Sequence, residues 1–251
     1  MIKTIFIILL SFISIGSCLS QKESPTFNKI GAINLSFGYG VEFPFADMAD
    51  RYSTNLKFTL GIEKVTKSQW IYGLEFAFMF GDTVKEDVLH SLRIPNGEVL
   101  GADNAYADVF TRERGLFLGI NFGKIIKFNK NSRSGLRLTN AIGIFQHYVR
   151  IGDEHRSLPQ LDGDYKKGYD RLSRGLALRQ FVGYHHISDN KRINFIIGLE
   201  FTEGFTKHVR AIDFDTGLMT SQKTRFDGLV SLKAAYILPF YDDYVAEEIF
   251  Y

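Results

Sequence analysis

The feature that constrains this chain most is an alternation of apolar and polar residues with a period of two. It opens with Ile33, Leu35, Phe37, Tyr39, Val41 and Phe43 on one parity and Asn34, Ser36, Gly38, Gly40 and Glu42 on the other. An α-helix cannot present such a pattern, because its faces recur about every 3.6 residues, whereas successive side chains of a strand point to opposite sides. The alternation returns over Leu56–Ile62, Tyr72–Phe80, Leu116–Phe122, Leu136–Ile144, Leu176–Tyr184, Ile193–Phe201 and Val230–Leu238. The sequence therefore predicts eight strands, each apolar on one face only.

Such strands close either as a soluble sandwich or as a membrane barrel, and 23 Phe with 12 Tyr suit both. The connections separate the two. Short links near Val65–Gln69, Ile126–Ser134 and Ser188–Lys191 alternate with long polar ones at Asp82–Arg114, Arg150–Arg174 and Glu203–Thr224, with Pro44–Ser53 as a modest first outer link. A membrane barrel has short turns on one side and long loops on the other, and an even strand number brings both ends to the same side. Aromatic residues fall near both strand ends: Trp70, Tyr72, Phe122, Tyr236 and Phe240 by the short turns, Phe43, Phe45, Phe80 and Tyr148 by the long loops. Paired girdles belong at the two membrane interfaces. The expected fold class is all-β, an eight-stranded antiparallel up-and-down transmembrane β-barrel.

The first residues have the form of an export signal. Lys3 precedes an apolar run from Ile5 to Ile15, and Gly16-Ser17-Cys18-Leu19-Ser20 supplies a small-residue cleavage zone. Cleavage after Ser20 is expected; the alternative reads Ile15–Cys18 as a lipobox that leaves Cys18 acylated. Cys18 is the only cysteine, so no intrachain disulfide can form. No later stretch is long and apolar enough for a membrane-spanning helix. A net charge of +2 argues against a nucleic-acid partner.

With eight strands between Ile33 and Phe240, the chain resembles the OmpA/OmpX-type outer-membrane β-barrels. Its last strand, Gly228-Leu-Val-Ser-Leu-Lys-Ala-Ala-Tyr-Ile-Leu-Pro-Phe240, is similar to the glycine-to-terminal-aromatic signal read by the barrel-assembly machinery, although Tyr241–Tyr251 follow it. The resemblance implies a signal peptide at 1–20, a periplasmic segment at 21–32, the barrel at 33–240 and a periplasmic tail at 241–251. It places the protein in the outer membrane of a diderm bacterium. The partners it implies are outer-membrane lipid, the assembly machinery during biogenesis, and other outer-membrane or periplasmic proteins.

The polar parity faces the lumen and carries four acids, Glu42, Glu63, Glu75 and Glu200, with four bases, Lys57, Arg137, Arg179 and Lys233. Eight strands leave room only for side chains, so these charges should pair. Turn positions suggest Glu42 with Lys57, Lys57 with Glu75, and Arg179 with Glu200. The row could form an ion path through a narrow pore; a satisfied polar core is the expected reading.

One stretch carries a sharper chemical alternative. His186-Ile-Ser188 with Glu200 resembles the His-x-Ser…Glu spacing of outer-membrane lipid A 3-O-deacylases, which implies a Ser–His–Glu triad of Ser188, His186 and Glu200. Spacing argues against it. If Ser188–Lys191 is a hairpin turn, His186 faces a residue near Ile193, and Glu200 lies about seven residues further, on the order of 23 Å at ~3.3 Å per residue.

No cofactor is expected. Asp162, Asp164 and Asp170, and Asp213 with Asp215, could attract calcium but read as loop turns, and His90, His147, His155, His185 and His208 lack metal spacing. The first long loop mixes Asp82, Glu86, Asp87, Glu98, Asp103, Asp108 and Glu113 with Lys85, Arg93, Arg112 and Arg114. Loops of that length on a rigid scaffold suit protein contacts. The expected function is a non-enzymatic outer-membrane barrel, an accessory or structural subunit of a secretion, assembly or uptake complex acting through its loops and its acidic, aromatic tail.

Overall fold

The computed structural model describes residues 31–129, 133–155, 157–188, 193–220 and 223–241. The export signal, nearly all of the segment at 21–32, the turn at Asp189–Asn190 and the tail beyond Tyr241 lie outside the described residues. Eight long strands form one closed antiparallel barrel: β1 (Ala32–Ala46), β2 (Asn55–Val65), β3 (Trp70–Gly81), β4 (Val109–Lys127), β5 (Gly135–Asp153), β6 (Ser173–Ile187), β7 (Asn194–His208) and β10 (Arg225–Tyr241). Between β7 and β10 lies a small separate hairpin, β8 (Ile212–Asp213) with β9 (Leu218–Met219). Each long strand pairs with its neighbour in sequence, and β1 closes on β10 from Ala32↔Tyr241 to Ala46↔Asp227. Closure leaves no free edge among the eight.

The alternation sorts the faces as the sequence requires. Ile33, Phe37, Tyr39, Leu56, Leu74, Leu118, Ile120, Ile142, Leu176, Leu199 and Leu232 lie on the outer wall and are exposed, while Asn34, Glu42, Lys57 and Glu63 on the other parity are buried. An apolar belt left uncovered among the described residues is matched to hydrocarbon. Trp70, Tyr72, Phe122, Tyr236 and Phe240 are exposed at the turn end, where the first girdle is expected. Thr66 makes the first short turn: its backbone N–H donates to Trp70 O (2.8 Å), and its hydroxyl accepts from Trp70 N (3.0 Å).

The strands are longer than their apolar faces suggest. β4 starts at Val109, β5 runs to Asp153, β7 to His208, and β10 begins at Arg225, so much of what reads as long loop is strand. Pairing continues above the belt because backbone hydrogen bonds need only a neighbouring strand, whatever the side chains. Arg112, Glu113 and Arg114 are accordingly wall residues rather than loop residues.

The remaining loops fold together as a cap. Met48 and Tyr52 from the first, Val88, Leu89 and Val99 from the second, and Leu158, Leu161 and Tyr169 from the third pack in one buried cluster with Met79, Phe117, Phe145, Val149 and Leu229 of the barrel interior. Burying each large apolar side chain is worth about 1.5–3 kcal/mol, so the cap is a folded element rather than a set of tethers. The lumen wall admits it by using small residues. A Cβ at Gly115 would run into the Met79 methyl group.

Candidate functional site

Two regions concentrate polar chemistry: a charged layer across mid-barrel and the cap above it. In the layer, Lys57 Nζ donates to Glu200 Oε1 (2.5 Å) and to the Ser231 hydroxyl (2.8 Å), and lies 3.0 Å from Glu42 Oε1. Glu200 also meets Lys233 (3.0 Å) and Arg179 (3.2 Å), and those two cations share Glu75 Oε1 at 3.0 Å each. Three acids thus face three bases in one connected, neutral network. Closer to the turns, Arg137 grips Glu63 through two bonds of 2.7 and 2.5 Å, with Asn34 donating to the same carboxylate. The Arg179 guanidinium lies 3.9 Å from the centre of the Phe117 ring, which stacks a π-face under the cation.

All eight charges read as inward are inside and paired, but one expected partnership needs correction and another is reached by a different register. Lys57 and Glu75 make no ion pair; Lys57 takes Glu42 and Glu200, and Glu75 takes Arg179 and Lys233. Arg179 does reach Glu200, although the residue directly opposite it is Thr202 and that opposite Glu200 is Phe181. Long side chains cover a two-residue offset, and the narrow lumen brings non-neighbouring strands within reach. Glu113 is also inside, accepting from Asn55 (3.0 Å). So is His147, whose Nε2 lies 2.8 Å from Asp227, itself accepting from the Thr206 hydroxyl (2.5 Å). Sequence reasoning placed Glu113 in a loop and left His147 and Asp227 unused. Following the alternation past Leu116 through Arg114 and Arg112 would have found Glu113.

The cap is locked by arginines. Arg171, in the left-handed backbone region at φ 51, meets Glu86 (2.8 Å), Asp213 (2.6 Å) and Asp215 (2.5 Å), so one guanidinium ties the second, third and fourth loops together. Arg51 comes from the first loop, donating to Glu86 (3.2 Å), the Ser173 hydroxyl (3.3 Å) and the Arg171 carbonyl (3.1 Å). Burial pushes the Glu86 carboxyl up, but Arg51 and Arg171 outweigh it and hold the group below its ordinary value. The three carboxylates overcome the cost of burial at Arg171 and raise its pKa. Phe214 stacks edge-on to Tyr169 at 5.7 Å and anchors the β8–β9 hairpin, whose Leu218 and Met219 are 68% and 87% exposed.

The triad candidates are not brought together. His186 pairs with Phe195 across the β6–β7 ladder, and Glu200 lies five residues further along β7, roughly 16 Å at ~3.3 Å per residue. That is closer than the turn-based expectation but still beyond contact. Their parities differ as well: Glu200 is buried in the lumen, whereas His186 lies among Tyr184, Phe195 and the Ser134 hydroxyl at the turn end. Ser188 accompanies it there, its backbone N–H donating to Asn194. The acidic loop clusters are engaged with cations: Asp164 with Lys167, Asp170 with Arg210, and Asp213 and Asp215 with Arg171. Among the described residues, no group of three or more His, Asp or Glu side chains is disposed to hold a metal ion.

An even, closed antiparallel ring, an uncovered apolar belt, a packed polar lumen and loops long on one side only are now all in place. The chain is built as a small, closed, eight-stranded antiparallel β-barrel of the membrane-spanning kind. No family model and no curated protein sequence matches it. Among solved structures it is similar to Ail, the attachment invasion locus protein of Yersinia pestis, at 14% identity and a TM-score of 0.44 over 83% of this chain and 99% of that one. Neisserial surface protein A matches at 7% identity and a TM-score of 0.47 with the same coverage, and OprG from Pseudomonas aeruginosa at 11% and 0.34 over 83% and 96%.

Proposed function

We propose that this barrel is a non-catalytic outer-membrane protein, exported with removal of residues 1–20, whose cap is a preformed platform for another protein in an outer-membrane secretion, assembly or uptake complex. The observation that carries this reading is the β8–β9 hairpin. A cap held by a buried apolar cluster and by Arg171 presents Leu218 and Met219 outward on a short, anchored turn. Apolar side chains on a rigid, pre-ordered element make contacts at low entropic cost, which suits an interface centre. The lumen supports the same assignment over a pore, because the charged layer and the cap both cross it.

A photo-crosslinking residue placed at Met219 in intact cells should give one discrete protein adduct, and one placed at Leu199 in the belt should give none. Absence of any protein adduct from Met219 and Leu218 alike would defeat the platform reading. The tail at 241–251 is the second proposed contact, tested in the same way at Tyr244.

A further inference from the structure

The cap fills the loop end of the barrel, whereas the turn end keeps a small vestibule. This cavity of about 20 Å³ has apolar walls at Val65, Ile125 and Ile187 and polar ones at Asn34, Arg133 and His185. It lies beside the Arg137–Glu63 pair, to which Asn34 donates through Nδ2. Two atoms of its lining, Asn34 Oδ1 and His185 Nδ1, have no hydrogen-bond partner among the described residues, although those residues are only 3% and 2% exposed. A buried polar atom left unpaired is costly, so each calls for a partner from beyond the cavity wall. No lining residue is acidic.

Strand β10 leads to the same place. Its inward residues Leu229, Ser231, Lys233, Ala235 and Ile237 are buried, and Pro239 and Tyr241, next on that parity, line the vestibule. Asp243 is the following position of the parity, about 7 Å of chain beyond Tyr241 at ~3.3 Å per residue. The Arg133 guanidinium lies 4.6 Å from the centre of the Tyr241 ring, at the point where this segment begins. From Asp242 to Tyr251 the chain carries Asp242, Asp243, Glu247 and Glu248 and no base. A cavity with room for one or two water-sized groups suits a carboxylate and excludes an aromatic ring.

We propose that the tail turns back beyond Tyr241 and seats the Asp243 carboxylate in this vestibule, so that the turn-end mouth is closed by a segment of the same chain. Arg133 and the Nδ1–H of His185 donate to the carboxylate, the arginine through a charge-assisted bond. A backbone N–H of the tail donates to Asn34 Oδ1. A peptide carboxylate meets both needs at once, because Asn34 Oδ1 can only accept and a free carboxylate anion brings no donor. The seat fixes the root of the tail and leaves Tyr244 onward for the partner contact proposed above, so it goes beyond that reading without resting on it.

The test uses the full chain folded in phosphatidylcholine nanodiscs, with folding of each variant checked by its faster gel migration before boiling. In R133K the introduced amine can be joined by a carbodiimide to a carboxylate seated beside it, and mass spectrometry of the digest should find an amide cross-link between positions 133 and 243. Adding D243N should abolish that link, and adding E247Q should leave it. A link from position 133 to Glu247 or Glu248 instead, or no link at all, would overturn the seat. A second measurement leaves Arg133 untouched. The imidazole nitrogen signal of His185 in isotope-labelled protein, assigned through H185Q, should shift in D243N and stay in place in E247Q. An unmoved signal in D243N would overturn the proposal and leave a vestibule that holds only water. A protein adduct at Tyr244 reports on the partner reading alone, so either reading can fail without the other.

Discussion

The charged layer in mid-barrel and the Arg171 cluster in the cap are both networks of carboxylate–cation pairs, yet their surroundings differ. Lys57, Glu42 and Glu200 are wholly buried, whereas Glu86 in the cap keeps 30% of its side chain exposed. In the layer no water can replace a lost partner, so each charge depends on its neighbours. In the cap, solvent can partly reclaim a freed carboxylate, and a break there stays local. Burial, rather than the number of ion pairs, decides which network holds the barrel and which merely shapes a surface.

Deleting a hub of the layer should have the largest effect. Glu200→Ala leaves Lys57, Lys233 and Arg179 to share the two remaining carboxylates, Glu42 and Glu75, so the layer carries one buried positive charge in excess, and it is expected to cost about 3–5 kcal/mol in denaturant unfolding. Arg179→Ala should cost less, because Glu200 and Glu75 both retain Lys233. The double variant should lose less than the sum of the two. Strict additivity would mean that the layer is not a coupled network.

A smaller, local effect is expected in the cap. Arg171→Ala should open the loops to protease with little change in the unfolding of the barrel. Acid should act in the same direction. Glu86 has a folded-state pKa below its ordinary 4.5, so its contribution is fully present above that value and is lost as pH falls through the lower one. Proteolysis of the loops should therefore rise below about pH 4.5 and should lose that pH dependence in Glu86→Gln. A barrel that unfolds together with its cap in either experiment would erase the distinction between the two regions.

The least effect should come from Arg93→Ala. Its bond to Asp87 (2.7 Å) joins two side chains that are 36% and 44% exposed, and such pairs are worth about 0–1 kcal/mol. A larger loss would show that exposure is a poor guide to the worth of an ion pair in this molecule.

The alternation by itself determined a good deal: which residues face lipid, which eight charges enter the lumen, and that the strands close as a ring. These follow from sequence because a strand's parity is a local property, and eight half-apolar strands can satisfy their backbone in a membrane only by closing. The partners of Lys57 and Glu75 were not legible, because they depend on the stagger between strands far apart in the chain, and Lys57 reaches Glu200 across 143 positions. The inward place of Glu113 is legible only if the strand is carried past Leu116, because apolar periodicity stops at the edge of the belt while hydrogen-bonded pairing does not. The cap was beyond the reach of any local pattern. Arg171 joins Glu86 to Asp213 and Asp215 only after three loops have been brought to one mouth, and that meeting is set by the closed barrel beneath them.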